Sequence, residues 1–249
     1  RQDDTWAVDL GFRDGNGGSV FPLDLTYRSS NRRPWQYQLG LQSNSLTTVS
    51  GLLRLLGVRD RLSAQIEYQI DPRLSVFLSA ERHRYESLGG STLAYGNTLN
   101  FNTSYRLLGG STQWLVGGSA AWESNNVVDQ IPDDLKPLLN PNVGPESLVP
   151  DKYADIGLSM YLGRGQLLST YPMASSPLSA SPRWFTDLWV GYIEPESTVG
   201  VAARVGMGTS LFGGDELGLT AAYDDRLNRV AGAGPSYQIQ LYYRFYLGR

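Results

Sequence analysis

Apolar and polar side chains alternate with period two over many short stretches of this chain. Each stretch is bounded by turn residues, which predicts half-buried β-strands and not amphipathic helices. The first sets Trp6, Val8, Leu10 and Phe12 on one face against Thr5, Ala7, Asp9, Gly11 and Arg13 on the other. Asp14-Gly15-Asn16-Gly17-Gly18 follows as a turn, because Gly and Asn tolerate positive φ. The next two strands oppose Phe21, Leu23, Leu25 and Tyr27 to Asp24, Thr26 and Arg28, and Trp35, Tyr37, Leu39 and Leu41 to Gln36, Gln38 and Gln42. The same reading gives strands at 62–70, 74–80, 99–105, 114–122, 156–162, 184–192, 199–207, 217–223 and 237–247, twelve in all. Residues 184–192 carry aromatics on both faces, which leaves their register the weakest.

Connection lengths add a second pattern. Tight turns at 30–33, 71–72 and 108–111 alternate with longer connections at 44–60, 86–94 and 124–151. An outer-membrane barrel does this, with short periplasmic turns and longer external loops. The alternation breaks at 164–182; that segment or 45–57 has room for more strands, so 14 or 16 stay open. Within the longest loop, Ile131, Pro132, Asp133, Asp134, Leu135 and Lys136 read as the start of a short helix, with Pro132 in its first turn and Pro137 limiting it. Such a loop is a candidate gate or plug folded into the pore, against the plainer reading of a solvated surface loop.

A soluble β-sandwich also alternates. Two features favour the membrane: apolar faces that end in Trp6, Tyr27, Trp35, Tyr68, Tyr105, Trp114, Trp122 or Tyr243, as interfacial aromatic girdles do, and opposite faces that are polar over a full strand. A third is the aromatic-rich amphipathic strand with which the sequence ends. The expected architecture is thus all-β, a single transmembrane antiparallel β-barrel over residues 1–249. Composition agrees: charged residues are 18%, below the roughly 25% of soluble domains, and no stretch reaches the roughly 20 apolar residues of a membrane helix. The sequence starts with no initiator Met and no signal-like segment, and reads as part of a longer protein.

The polar faces define the expected lumen. Its acidic members are Asp9, Asp24, Glu67, Glu81, Glu123, Asp155, Asp187 and Glu216; its basic members are Arg13, Arg28, Arg106, Arg204 and Arg244. So many charges in a dry core would be prohibitive, so the lumen is read as water-filled and acidic on balance. Tyr161, Trp189, Tyr242 and Tyr246 among amide and hydroxyl rungs suit a carbohydrate, whose ring faces pack on aromatics; for any one of them, hydrating or bracing the pore is the simpler role. A net charge of −3 without a basic patch gives no reason to expect nucleic acid. With no Cys and one His, no metal or other cofactor is expected. That histidine, His83, is the one handle for an enzymatic alternative, an outer-membrane hydrolase. Barrel lipases and lipid A deacylases place a Ser two residues after such a His on a lipid-facing strand, and here Tyr85 stands there.

The stretch from Leu62 to Tyr85, LSAQIEYQIDPRLSVFLSAERHRY, resembles the barrel of PelB-type outer-membrane exporters. So do Gln130 to Asn140, QIPDDLKPLLN, and Leu148 to Tyr153, LVPDKY. The resemblance implies an outer-membrane pore for the Pel exopolysaccharide of biofilm matrix, a partly deacetylated and so cationic amino-sugar polymer that an acidic lumen would guide. It further implies a periplasmic tetratricopeptide segment in the same polypeptide, a ring of PelC-type lipoproteins at the entrance, and a barrel of 16 strands. The remaining alternatives are another polysaccharide exporter or general porin, the hydrolase, and a soluble sandwich module.

Overall fold

Period-two alternation becomes strand pairing wherever the backbone can bond to a neighbour on both sides. The computed structural model describes residues 4–15, 18–29, 34–46, 49–164, 182–212, 215–226 and 234–245, with 14–15 and 244–245 described by backbone alone. The strands are β1 (Thr5–Leu10), β2 (Arg13–Gly15), β3 (Gly18–Val20), β4 (Leu23–Arg28), β5 (Trp35–Ser45), β6 (Gly57–Gln69) and β7 (Leu74–Ser87). They continue with β8 (Thr92–Leu108), β9 (Thr112–Val127), β10 (Lys152–Arg164), β11 (Arg183–Glu194), β12 (Thr198–Thr209), β13 (Asp215–Asp224) and β14 (Ser236–Phe245). Apart from the β2–β3 hairpin, they form one 12-stranded antiparallel sheet in chain order, from β1 to β14.

The strand number is that of the alternation count. The larger number implied by the resemblance is not present among the described residues, and 165–181, where extra strands could sit, lies outside them. Tyr246 and Leu247 are also outside them. Between β5 and β6 the described residues hold no further strand; they form the helix α1 (Gly51–Leu56), whose N-cap Ser50 accepts a hydrogen bond from Leu53 N at 3.0 Å.

β7, β8 and β9 run 14, 17 and 16 residues, well past their apolar stretches. The connection expected at 86–94 therefore shrinks to residues 88–91. Strand pairing needs backbone partners, not apolar side chains, so the ladder carries on where both faces turn polar. At the other end of β7, the Asp71 carboxylate accepts from Arg73 N at 2.6 Å and Leu74 N at 2.9 Å, closing the tight turn.

One face of the sheet is an exposed apolar surface. On β10 it runs Ala154, Ile156, Leu158, Met160, Leu162, flanked by Trp122, Ala120, Gly118 and Val116 of β9 and by Tyr192, Val190 and Leu188 of β11. Leu158 is 69% exposed and Ile156 63%, values that in water would mark a large aggregation hazard. Nine residues at roughly 3.3 Å each, tilted by about 40°, cover the roughly 25 Å apolar band of an outer-membrane protein.

The buried core lies elsewhere, at the end of the sheet bearing the long connections. Val49, Leu53, Leu135, Leu148 and Val149 pack there against Tyr85, Leu93 and Ala94 of the sheet. Tyr85 and Ala94 belong to the polar face, so α1 and the 128–151 loop fold across that face and not away from it. Ser50 Oγ donates to Leu148 O at 2.7 Å and ties the two connections together.

Candidate functional site

Register places the expected acidic residues on a common face. Asp9 pairs with Asp24, Asp187 with Arg204, and Glu67, Glu81, Glu123, Asp155 and Glu216 occupy the same alternate positions on their strands. Few of them stand bare. Asp24 accepts from Gln42 Nε2 and from Thr26 Oγ1, Glu81 meets Arg61 at 3.0 Å, and Asp187 meets Arg204 at 3.0 Å. Glu216, fully buried, accepts from Tyr242 OH at 2.7 Å and lies 3.3 Å from Arg183.

The basic set needs correction. Arg13 is not on a wall strand: β1 ends at Leu10, and Arg13 begins the β2–β3 hairpin, where its guanidinium donates to Arg54 O at 2.7 Å and to Gly57 O and Leu55 O at 3.1 Å. It satisfies the last carbonyls of α1, which a helix end leaves without intrahelical partners. Arg28 donates to Gln36 Oε1 at 3.2 Å, and Arg106 lines the opening at the tight-turn end. Arg244 pairs by backbone with Glu216, and its side chain lies outside the described residues. Arg59, Arg61 and Arg183 join the polar face, unanticipated because the alternation was followed only from Leu62 and from Trp184. Carrying the period-two pattern one step upstream reaches Arg61 and Arg183, and a second step reaches Arg59. The acidic excess is correspondingly narrower than eight against five suggests.

At the tight-turn end a cavity of about 440 Å³ opens on the polar face, among Gln36, Glu67, Gln69, Phe77, Ser104 and Arg106. Glu67 has no ion-pair partner among the described residues. Carboxylate, amides, a hydroxyl and one aromatic face in a single recess are the groups that hold a hydrated, hydroxyl-rich ligand weakly.

Trp189 braces the wall, the simpler of the two roles its sequence position allows, and offers no open platform. It is 5% exposed, its Nε1 donates to Ser119 Oγ at 2.8 Å, and the Arg226 guanidinium covers the ring at 4.5 Å. The ring lies flat on the wall because Gly157 and Gly191 beneath it carry no Cβ; one on Gly157 would sit 2.5 Å from Trp189 Cε2. Gly157→Leu is therefore expected to lower unfolding stability in detergent by about 1–3 kcal/mol through overpacking, with Gly157→Ala smaller. An unchanged urea midpoint for Gly157→Leu would contradict this packing. Phe185, also buried, stacks near Tyr161 at 6.1 Å and was hidden by the two-sided aromatics of its strand.

At the opposite end the long connections close over the polar face. Leu135 is 1% exposed inside the core formed by these connections, while Asp134 accepts from Ser87 Oγ of β7. Ile131 packs at the edge of that core. Asp133 and Lys136 stay exposed and pair at 2.6 Å, and the hydrogen bond from Lys136 holds the Asp133 carboxyl below its usual range. The helix expected from Pro132 is only a turn followed by a 3-10 segment, Lys136–Leu138, with Pro132 O accepting from Leu135 N at 3.0 Å.

Beside this loop core, Glu123 accepts from Tyr85 OH at 3.1 Å and Asn125 Nδ2 at 2.8 Å, and His83 Nε2 lies 2.8 Å from Asn125 Oδ1. Asn125 Nδ2 also reaches Pro150 O at 2.7 Å, so this cluster anchors the loop's return. His83 is buried on the polar face, and among the described residues no serine hydroxyl is hydrogen-bonded to it. The described residues contain no cluster of three or more side chains arranged to hold a metal ion.

Comparison with known proteins follows the same lines. The family described as PelB, C-terminal beta barrel domain, matches residues 1–246. No curated protein matches in sequence. Among solved structures, a "Bacterial polysaccharide outer membrane secretin" is similar with a TM-score of 0.62 at 12% identity, over 98% of this chain and 74% of that one. LpxR from Salmonella typhimurium superposes with a TM-score of 0.46 at 9% identity, over 93% of this chain and 90% of that one. The outer membrane channel DcaP of Acinetobacter baumannii gives 0.40 at 10% identity, over 98% and 70%. At these identities the secretin likeness speaks for the fold, and the other two carry no weight. With a lipid-width apolar face, a polar inner face and a family match over nearly its whole length, the chain belongs to the PelB C-terminal β-barrel domains of the bacterial outer membrane.

Proposed function

We propose that this barrel is a passive conduit for a cationic exopolysaccharide, a partly deacetylated amino-sugar polymer of the Pel type, delivered to the biofilm matrix through a pore closed by its own 128–151 loop. Polysaccharide export across the outer membrane is the activity that membership in this family carries. The observation that supports the finer reading is the polar face itself, a run of carboxylates, amides and hydroxyls on twelve strands whose other face is apolar. Weak contacts with the carboxylates that have no ion pair among the described residues, such as Glu67 and Asp24, would let a charged chain enter without being trapped. The cavity at Glu67 lies at the tight-turn, periplasmic end, where cargo would arrive from a tetratricopeptide segment of the same polypeptide and a PelC-type lipoprotein ring.

In this reading the protein is not an enzyme, and His83 serves to seat the plug. Replacing His83 by Ala should leave outer-membrane lipids unhydrolysed to the same extent as before, and a hydrolytic activity lost in that variant would favour the alternative. The electrostatic part is tested by bilayer reversal potentials with the protein whose residues 129–150 have been removed, so that the pore conducts. Glu67→Lys, alone and with Asp24→Lys, is expected to cut the preference for cations several-fold. Indifference of the selectivity to both would remove the charge-guided cargo from the proposal.

A further inference from the structure

On the apolar face, toward the end of the long connections, Arg82, Asn97, Ser124 and Lys152 pair in one row on four consecutive strands, with the belt residue Leu62 opposite Arg82 on β6. Arg82 is exposed and has no hydrogen bond or ion pair among the described residues. Its neighbour Arg84 is neutralised by Asp60 at 2.6 Å and Glu86 at 3.1 Å, so the free positive charge of this patch sits on Arg82 and on exposed Lys152. Directly below Arg82 the wall is hollow. Ala64 and Ala80 pair side by side, between the taller Leu39 and Leu99, and leave a groove of about 550 Å³ that Trp122 borders. None of this faces the pore, so Arg82 cannot touch the cargo.

We propose that this groove is a lipid site for a phosphorylated glycolipid of the outer leaflet, one acyl chain lying over Ala64 and Ala80 and a headgroup phosphate on Arg82. The long-connection end is the external one, so the row of Arg82 lies at the headgroup level of that leaflet. A guanidinium at that level binds phosphate through two parallel N–H groups, a geometry that favours phosphate over a hydroxyl-only headgroup.

The test uses the full-length protein in nanodiscs containing bisphosphorylated lipid A, dephosphorylated lipid A or phosphatidylglycerol, with bound lipid counted by native mass spectrometry after mild release. The wild type should retain bisphosphorylated lipid A. Arg82→Gln should lower that retention about tenfold, and Arg82→Lys by an intermediate factor, since lysine keeps the charge but loses the two parallel N–H groups. Ala80→Phe, which fills the groove but keeps the charge, should lower it as well. Equal retention of the dephosphorylated lipid or of phosphatidylglycerol, or full retention by both Arg82→Gln and Ala80→Phe, overturns the site. Conductance should be unchanged in all three variants, so a failure of the pore reading would be recognised separately.

Discussion

Removing residues 129–150 and joining Val128 to Asp151 should convert a nearly silent protein into one with a several-fold larger single-channel conductance in planar bilayers. The expectation rests on where the loop sits. Leu135, Leu148 and Val149 are fully buried against Leu53 of α1 and against Tyr85 and Ala94, two side chains of the inner wall. Burying each such aliphatic side chain is worth roughly 1.5–3 kcal/mol, so thermal opening of the whole plug is rare and something must drive it. The polar latches point the same way: Ser87 to Asp134, and Asn125 to Pro150 at 2.7 Å, fasten the loop at both its ends. A milder variant separates plugging from the trivial effect of a shortened chain. Leu135→Asp places a carboxylate in that core and should also raise conductance, because an unpaired buried charge expels the segment that carries it. Conductance unchanged in both variants would show that the loop does not obstruct the pore.

Much of this architecture could be read from the sequence, and for a simple reason. Each strand of such a barrel meets lipid on one side and water on the other, so a rule as local as alternation reports the global fold, strand by strand. The same rule failed where something else covers the wall. Trp189 sits at an inner-face position, yet nothing in its spacing shows that Gly157 and Gly191 let it lie flat or that Arg226 closes over it. Arg13 continues the alternation of β1 and still leaves the wall, because the carbonyls at the end of α1 accept from it. Leu135 reads as an ordinary loop residue until Leu53 and Val149, distant in sequence, are brought against it. Arg61 and Arg183 were missed for another cause: apolar residues mark the belt, and both arginines lie just beyond its edge, on strand that continues past the lipid.

Leu158→Arg should destabilise the folded barrel in lipid by roughly 2–4 kcal/mol, whereas Ala154→Arg, on the same strand and face, should cost about 0–1 kcal/mol. Leu158 lies at the middle of the β10 belt and Ala154 at its external margin, two residues from Lys152. A guanidinium at the centre has no water within reach and no acidic partner on the apolar face beside it, where Gly118 and Val190 flank it; at the margin it reaches the headgroups. Urea unfolding in vesicles, followed by loss of the heat-modifiable band on gels, measures both. The contrast is the informative quantity, because a soluble sheet would accept arginine at either exposed position with almost no cost. Equal stability of the two variants in lipid would mean that β10 does not cross a bilayer, and the barrel reading would fall with it. A steep difference would place Leu158 nearer the bilayer centre than Ala154 and orient β10 with Lys152 toward the headgroups.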